Sequence, residues 1–349
     1  MAGSGSGCDA EGVTRRRHPP YVPAIRQSIT LSGRLNMTRS ALVLSLVAWA
    51  SPAAILAQGL IAPTIPGVFA AGTPVEVIKD DVGGTEGPMG LPDGSVIFTG
   101  SNVINRLAPD GTISVYIAKT NGANGLSMDA QGRIYATETG NEPGPRIAII
   151  GPKGQERVVA DKYDGKPLIR PNDLIVDAKG GVYFTDPAPR PEKPGDRLST
   201  LSNVYYIRPD GRVILLDNRM RRPNGIQLSP DGKTLYVADT ILETIIAFDL
   251  QPDGSVQNGR VWATYQGTGP DGSGGDGLAV DAEGRLFAAS INGVQVFSPR
   301  GEYLGTLTLP RQPQNLAFGG QGRSWLYVVG RGGAYRVKTL TEGVKTRAK

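Results

Sequence analysis

Apolar and polar residues alternate along the chain in short runs that are separated by glycine-containing turns. The stretch "RPNGIQLSPDGKTLYVAD", Arg222–Asp239, shows the pattern: an alternating run, a Pro-Asp-Gly turn, and a second run rich in β-branched and aromatic residues. Two such runs around a glycine turn are typical of a β-hairpin. The same phrase occurs six times, with its turn glycine at positions 94, 132, 180, 232, 284 and 322.

The spacing of these hairpins predicts a repeat architecture. Successive turn glycines are 38, 48, 52, 52 and 38 residues apart, which leaves room for about four short strands in each repeat. Six repeats of this kind predict an all-β fold, a six-bladed β-propeller. The 48 glycines and 27 prolines suit many strands and tight turns. We expect the segment "PVEVIKDD" before the first hairpin and "GGAYRVKTL" near the end to pair and so close the ring.

Each hairpin begins with a polar residue in the same register. Counting back eight positions from the turn glycine gives Glu86, Asn124, Asn172, Asn224 and Asp276, and Asn315 stands seven positions before Gly322. The innermost strands of a propeller line its central channel, so these six side chains are predicted to form a ring at one end of that channel. The alternative for an individual Asn or Asp is that it caps a turn.

The first 57 residues are set apart by composition. Residues 37–57 have one Arg, an apolar run and small residues near Ala57, which is the pattern of a secretory signal peptide. Residues 1–36 read as an upstream extension. We expect a linker at 58–74, the propeller at 75–340 and a tail at 341–349. The protein would then be periplasmic or secreted, without a stable membrane span after cleavage. The alternative is that this segment remains as an uncleaved membrane anchor.

Without residues 1–57 the chain has 37 − 6 = 31 basic and 32 − 2 = 30 acidic residues, so its net charge falls from +5 to +1. This balance gives no reason to expect nucleic acid as a partner. The only Cys, Cys8, and the only His, His18, are also in the removed segment. Disulfides, a Ser-His-Asp triad and His/Cys zinc sites are therefore excluded from the propeller.

Two carboxylates and several amides without His or Cys are the donor set of a hard cation. Ca²⁺ suits these oxygens best, and Mg²⁺, Mn²⁺ or Zn²⁺ are the alternatives. Such an ion polarises a carbonyl or phosphoryl oxygen, or activates water. The residues that end the second strand of four hairpins should also lie near this end of the channel, either as substrate contacts or as turn formers: Glu138, Asp186, Asp239 and Ser290.

Four motifs carry a resemblance to a known family: "EGP" at Glu86, "RPND" at Arg170–Asp173, "RPNGI" around Asn224 and "GGDGLAVD" around Asp276. In this order and spacing, the sequence of residues 75–340 resembles the senescence marker protein/gluconolactonase family, also called regucalcin-like. The resemblance implies a six-bladed propeller with one divalent cation in its central channel.

By position, the resemblance implies roles for individual residues. Glu86, Asn224 and Asp276 would bind the metal, with Asn172 as a further ligand. Asp276 would also be the catalytic residue and would orient the attacking water. Three residues would contact the substrate, and they are Arg170, Asn124 and Asp173.

The implied function is a metal-dependent hydrolase that opens a sugar lactone or a similar cyclic ester, a small-molecule substrate. The alternatives are a non-catalytic binding or scaffold propeller, and an esterase or phosphotriesterase of the same fold. Two departures from the family pattern matter. Ile169-Arg170 stands where bacterial lactonases often have Asn-Ser, which makes the pocket more cationic. Arg331 stands near the position of a His in the propeller phosphotriesterases.

Overall fold

Six four-stranded antiparallel sheets are present in the described part of the chain, and the repeated hairpins provide two strands of each sheet. The computed structural model of the protein describes residues 59–349 apart from 85, 141, 192, 194–196, 269–273 and 347–348. The signal peptide expected at 37–57 and the extension at 1–36 lie outside the described residues. No helix of the described residues is long and apolar enough to cross a membrane.

The strands are numbered in chain order, and each sheet is one blade. Strand β1 is Val75–Lys79. Blade 1 contains β2 (Glu86–Gly90), β3 (Val96–Thr99), β4 (Val103–Leu107) and β5 (Ile113–Ala118). Blade 2 contains β6 (Ala123–Met128), β7 (Ile134–Glu138), β8 (Arg146–Gly151) and β9 (Arg157–Ala160). A short hairpin follows, formed by β10 (Lys162–Tyr163) and β11 (Lys166–Pro167).

Blades 3 to 6 continue in the same order. Blade 3 contains β12 (Leu174–Val176), β13 (Val182–Asp186), β14 (Asn203–Ile207) and β15 (Val213–Asp217). Blade 4 contains β16 (Pro223–Leu228), β17 (Thr234–Asp239), β18 (Thr244–Leu250) and β19 (Val256–Thr264). Blade 5 contains β20 (Leu278–Val280), β21 (Leu286–Ser290), β22 (Gly293–Phe297) and β23 (Tyr303–Leu307). Blade 6 contains β24 (Asn315–Gly319), β25 (Trp325–Gly330) and β26 (Gly333–Lys338), with a 3₁₀ turn at Gln321–Arg323.

The sixth blade closes the propeller and confirms the predicted pairing of the two ends. Strand β1 pairs antiparallel with β26, so the sheet order of this blade is β1-β26-β25-β24. The register places Val75 opposite Val337 and Val77 opposite Tyr335. The outer strand of the last blade thus comes from the segment before the first blade, which leaves no gap in the ring.

The hydrophobic core lies between neighbouring blades. Every residue of the innermost strand β24 and of the second strands β13 and β21 is buried. The outer strand β5 is mostly exposed. Apolar side chains therefore cover both faces of the inner strands. An example is the edge-to-face contact of Phe287 in blade 5 with Phe318 in blade 6, whose ring centroids are 5.1 Å apart.

Glycines let the inner strands converge on the channel. A Cβ atom at Gly87 would lie 2.1 Å from the carbonyl oxygen of Asn124 in the next blade. A Cβ atom at Gly225 would lie 2.2 Å from the carbonyl oxygen of Asp276. Any larger residue would push these blades apart. Close packing of neighbouring blades therefore explains why glycine follows the polar residue in the Glu-Gly, Asn-Gly and Asp-Gly pairs of the repeat.

The segment expected to be a linker is packed against the propeller instead. Ala62, Ile65, Val68 and Phe69 are buried in one cluster with side chains of blades 5 and 6, including Phe287 and Phe318. The interpretation of 58–74 as a linker is therefore wrong for the described residues from 59 onwards. The tail also packs: Thr341, Val344 and Lys349 are buried.

Candidate active site

A cavity of about 300 Å³ opens where the inner strands begin, and it contains five of the six predicted ring positions. We call this end of the channel the mouth. The five residues are Glu86, Asn124, Asn172, Asn224 and Asp276. They come from five different blades, so the fixed eight-residue offset from the turn glycine correctly predicted their convergence.

The sixth position is Gln314 rather than Asn315. Gln314 stands eight positions before Gly322, lines the cavity, and donates a hydrogen bond from Nε2 to Glu86 Oε1 at 3.2 Å. Asn315 is buried, and its Oδ1 accepts the backbone N–H of Leu316 at 2.9 Å. Below, the polar ring means the six cavity residues, and these are Glu86, Asn124, Asn172, Asn224, Asp276 and Gln314.

Hydroxyl groups of one blade hold the backbone of the next blade at the polar ring. Thr137 Oγ1 donates to the carbonyl oxygen of Asn172 at 2.8 Å, and Thr185 Oγ1 donates to that of Asn224 at 2.7 Å. Asn124 Nδ2 also donates to the carbonyl oxygen of Asn172, at 2.9 Å. These bonds cross from blade to blade, so they fix the positions of the ring residues relative to one another.

The two carboxylates of the polar ring are strongly perturbed. Burial, followed by the charge of Asp173, raises the pKa of Glu86 to about 7. Burial, followed by the charges of Glu86 and Asp173, raises the pKa of Asp276 well above its usual range, and the Arg331 guanidinium opposes this. Carboxylates that share a site repel each other, and a cation between them removes that cost.

The residues present fit an oxygen-coordinated cation. Asn224 Oδ1 is buried and has no hydrogen-bond partner among the described residues, while its Nδ2 donates to Thr240 Oγ1 at 3.3 Å. A buried acceptor without a donor is costly, and a cation would satisfy it. No group of three or more Asp, Glu, His or Cys side chains in the described chain is placed to hold a metal. The donor set is therefore two carboxylates and neighbouring amides, which suits a hard cation.

Asp173, predicted as a substrate contact, does not line this cavity. Its side chain is buried below the polar ring, where the carboxylate forms an ion pair with Lys349 Nζ. Oδ1 accepts the backbone N–H of Leu174 at 2.9 Å, and Oδ2 accepts that of Ile226 at 3.3 Å. Asp173 follows Asn172 directly, but only Asn172 lines the cavity.

The acidic residues that end three second strands turn out to anchor loops. Asp186 Oδ1 accepts the backbone N–H of Arg170 at 2.6 Å, and Asp239 Oδ2 accepts that of Arg221 at 2.8 Å. Glu138 Oε1 accepts the N–H of Asn121 at 3.2 Å. None of the three lines the cavity. Each carboxylate holds the chain just before a ring residue of its own blade, and Ser290 Oγ donates locally to the carbonyl oxygen of Gly293.

Arginine side chains complete the wall of the cavity. Arg170 lines it as predicted, and Arg190, Arg222 and Arg331 line it as well. Arg222 precedes Asn224 by two residues, just as Arg170 precedes Asn172, so this parallel in the sequence was available to identify Arg222. Arg190 lies in the loop after β13 and Arg331 in the turn between β25 and β26, where no repeat register points to them.

Two other cavities of similar size, about 290 and 330 Å³, lie at the opposite ends of the inner hairpins in blades 2 to 4. Turn residues such as Asp129, Asp177 and Lys179 line both of them. Neither contains a residue of the polar ring. The mouth is the cavity in which strands from all six blades contribute polar side chains.

The structure is thus a six-bladed β-propeller whose mouth holds two carboxylates and several amides, a donor set that suits an oxygen-coordinated cation. Comparison with known proteins then gives the family. A profile of the SMP-30/gluconolactonase/LRE-like region matches residues 85–331. The chain belongs to this family, as the four sequence motifs indicated.

Individual relatives agree with this assignment. A gluconolactonase of Zymomonas mobilis is 30% identical over 308 residues, which cover 80% of this chain and 85% of the relative. The structure of a gluconolactonase from Xanthomonas campestris has a TM-score of 0.67 and 28% identity, covering 80% of this chain and 97% of that one. A calcium-binding regucalcin structure from Agrobacterium tumefaciens, with TM-score 0.63 and 20% identity, covers 80% of this chain and 95% of that one and supports the fold.

Proposed function

We propose that the protein is a metal-dependent lactonase that opens a sugar lactone or a similar cyclic ester with water. The observation that carries this proposal is the unpartnered Oδ1 of Asn224 in a cavity that also holds Glu86 and Asp276. Its membership of the family and the lactonase activity named for its relatives support the same reaction class. Since fold alone does not fix function, the argument depends on these side chains.

Glu86, Asn224 and Asp276 would hold one divalent cation, with Asn172 as a further ligand. Ca²⁺ is our first choice because the donors are all oxygen atoms, and Mg²⁺, Mn²⁺ or Zn²⁺ are the alternatives. A bound cation would polarise the lactone carbonyl. Gln314 would keep Glu86 in place through the hydrogen bond from Nε2 to Oε1.

In the reaction, the oxygen of a water molecule forms a bond to the lactone carbonyl carbon. Asp276 would orient this water and accept one of its protons. The bond between the carbonyl carbon and the ring oxygen then breaks, and the ring oxygen takes up a proton. One water is consumed and one hydroxy acid is formed. A cation bound by Asp276 would lower its pKa again, so orienting the water is the main part of this role.

Replacing Asp276 by Asn tests the proposal. The substitution keeps the shape of the side chain and removes the base and one anionic ligand. We expect lactone hydrolysis to fall by at least about 100-fold, as is usual for loss of a general base, with an unchanged circular dichroism spectrum. Hydrolysis would be measured on a panel of aldonolactones by pH-stat titration.

Asp210→Asn is the matched control, because Asp210 is an exposed turn carboxylate of blade 3. This variant should retain the activity of the unaltered protein. If Asp276→Asn and Asp210→Asn hydrolyse lactones equally fast, the catalytic assignment is wrong. If the unaltered protein opens no lactone but binds a cation, the binding-propeller alternative is favoured.

We also propose that the propeller acts in the periplasm or outside the cell. The support is the sequence of residues 37–57, whose apolar run and small residues match a cleavable signal. Expression of the full chain followed by cell fractionation and N-terminal sequencing tests this. A mature N-terminus near residue 58 in the periplasmic or secreted fraction is expected, and an uncleaved cytoplasmic product contradicts it.

A further inference from the structure

We propose that the mouth recognises an anionic group on the lactone, a carboxylate or a phosphate, through the guanidinium groups of Arg170, Arg190 and Arg222. We call these three residues the arginine rim. This inference rests on the proposed function and narrows it: the preferred substrate is an acidic lactone rather than a neutral one. The polar ring would take the carbonyl end of such a molecule, and the arginine rim would take its charged end.

The arginine rim brings three positive charges from separate segments into one cavity. Arg170 comes from the loop before β12, Arg190 from the loop after β13, and Arg222 from the residue just before β16. They are close enough to repel one another: after burial, the charges of Arg190 and Arg170 are the main causes that lower the pKa of Arg222. The charges of Asp276 and Asp239 act in the opposite direction but are smaller causes. Like charges held together are unfavourable, and an anionic ligand would relieve the repulsion that remains.

No carboxylate of the described residues forms an ion pair with a guanidinium group of the arginine rim. By contrast, Arg260 on an outer strand pairs with Asp249 at 2.8 Å. Two carboxylates beside these loops are already occupied, since Asp186 and Asp239 accept the backbone N–H groups of Arg170 and Arg222.

Arg222 lines the cavity and has one buried donor without a partner among the described residues. Its Nη1 donates to the carbonyl oxygen of Ala188 at 2.5 Å, which fixes the side chain across blades 3 and 4. Its Nε is buried and has no hydrogen-bond partner among the described residues. A buried donor without an acceptor is unfavourable, and a planar guanidinium matches carboxylate and phosphate oxygens in geometry and charge.

The charges of the cavity are divided between the two parts of the wall. Glu86 and Asp276 belong to the polar ring, and Arg331 rather than the arginine rim is the main basic group acting on the pKa of Asp276. The charge of the arginine rim is therefore available to bind an anion. The volume of about 300 Å³ is at the lower end of small-molecule sites, which suits a single sugar acid.

The test compares three lactones that differ in charge: glucono-1,5-lactone, glucaro-1,4-lactone and 6-phosphoglucono-1,5-lactone. We expect kcat/KM to be higher for at least one acidic lactone than for the neutral lactone. Arg190→Gln and Arg222→Gln should each lower kcat/KM for that acidic lactone about tenfold or more, mainly through KM, since each removes a charge-assisted hydrogen bond. The neutral lactone should change less than about threefold.

Arg300→Gln is the matched control. Arg300 is exposed in the turn between β22 and β23, beside the turn glycine Gly284 and thus at the opposite end of blade 5 from the mouth. Arg300→Gln removes the same charge as the test variants and should leave the ratio of kcat/KM for acidic and neutral lactones unchanged. Added salt should weaken the acidic preference of the unaltered protein, because exposed charges are screened. The acidic lactone with the higher kcat/KM shows whether the anionic group that the arginine rim binds is a carboxylate or a phosphate.

A binding experiment without turnover tests this inference separately from the proposed function. Glucarate and inorganic phosphate are titrated calorimetrically into protein kept in EDTA, so that neither turnover nor metal contributes. Binding by the unaltered protein that is lost in Arg190→Gln and Arg222→Gln supports the arginine rim, even if no lactone is hydrolysed and the proposed function fails. Equal loss of acidic and neutral turnover in these variants, or no anion binding, overturns the inference.

Discussion

Lys349 places a positive charge in the channel below the polar ring. Its side chain is fully buried, its Nζ pairs with Asp173, and it also donates to the carbonyl oxygens of Leu174 at 3.2 Å and Ile226 at 3.3 Å. The charge of Asp173 raises the pKa of both Glu86 and Asp276, whereas Lys349 lowers that of Glu86. The pair therefore belongs to the electrostatics of the site as well as to the core.

Replacing Lys349 by Met should destabilise the fold, because it leaves the Asp173 carboxylate buried without a counter-charge. Breaking a buried ion pair on one side costs about 3 to 5 kcal/mol. Urea unfolding should show a loss of this size in the free energy of unfolding. The double variant Asp173→Asn/Lys349→Met should recover most of it, since blade 6 has an Asn, Asn315, directly after its own ring residue. An unchanged midpoint in Lys349→Met would show that the pair does not form.

A shift of one residue along the chain decides whether a side chain reaches the cavity, and this limited the prediction of the site. The eight-residue offset correctly identified five members of the polar ring. Asn315 was chosen for its residue type although it broke the offset, and Gln314 is the residue in register. Asp173 was included because it belongs to a motif, but its neighbour Asn172 holds the ring position. Register is thus a better guide than residue type.

The strand-end carboxylates are part of how each blade presents its ring residue. Asp186 accepts backbone N–H groups from Ile169 and Arg170, so it fixes the loop that carries both Arg170 and Asn172. Asp239 does the same for Arg221 and Arg222 in blade 4. The sequence offered both turn formation and substrate contact for these residues, and the structure favours the structural role. Only the three-dimensional path of the loops distinguishes the two.

Asp186 should make stability depend on pH. Burial raises its pKa to about 6 from the ordinary 3.8. Between these values the folded chain holds a proton that the unfolded chain has released, so this group lowers the free energy of unfolding as pH rises from about 4 to about 6. Asp186→Asn cannot titrate, and it should reduce the decrease across this window by about 1 to 3 kcal/mol.

Urea unfolding at pH 4, 5, 6 and 7 in EDTA measures this effect. Asp210→Asn, an exposed carboxylate, is the control and should follow the unaltered protein. The carboxylate of Glu86 contributes to the dependence of all three proteins, so the difference between variants isolates Asp186. If Asp186→Asn and Asp210→Asn give parallel curves, Asp186 does not titrate as described.

The six-bladed ring could be predicted from the sequence because each blade contains one copy of the repeated hairpin. Hairpins recurring at 38 to 52 residues predicted the blades, and two unmatched strands predicted the closure by β1 and β26. The packed segment at 59–74 was missed because its apolar residues follow no repeat. Arg190 of the arginine rim was also missed, because it lies in a loop whose path depends on the assembled blades.

The protein is thus a closed propeller in which every blade contributes one residue to the polar ring. The carboxylates of the mouth come from blades 1 and 5, and the guanidinium groups of the arginine rim come from the loops of blades 3 and 4. A divalent cation bound by the carboxylates and an anionic group bound by the arginines would fix a lactone at two points. Fixing both ends of a substrate orients its reacting carbonyl.

Metal dependence of lactone hydrolysis is the most direct test of this view. Protein stripped with EDTA would be titrated with Ca²⁺, Mg²⁺, Mn²⁺ or Zn²⁺ by calorimetry, and lactone hydrolysis would be measured at each point of the titration. We predict binding of one divalent cation per chain, with activity absent at the start and rising in proportion to occupancy. Full activity in stripped protein, or cation binding that persists in Glu86→Gln/Asp276→Asn, would contradict the account.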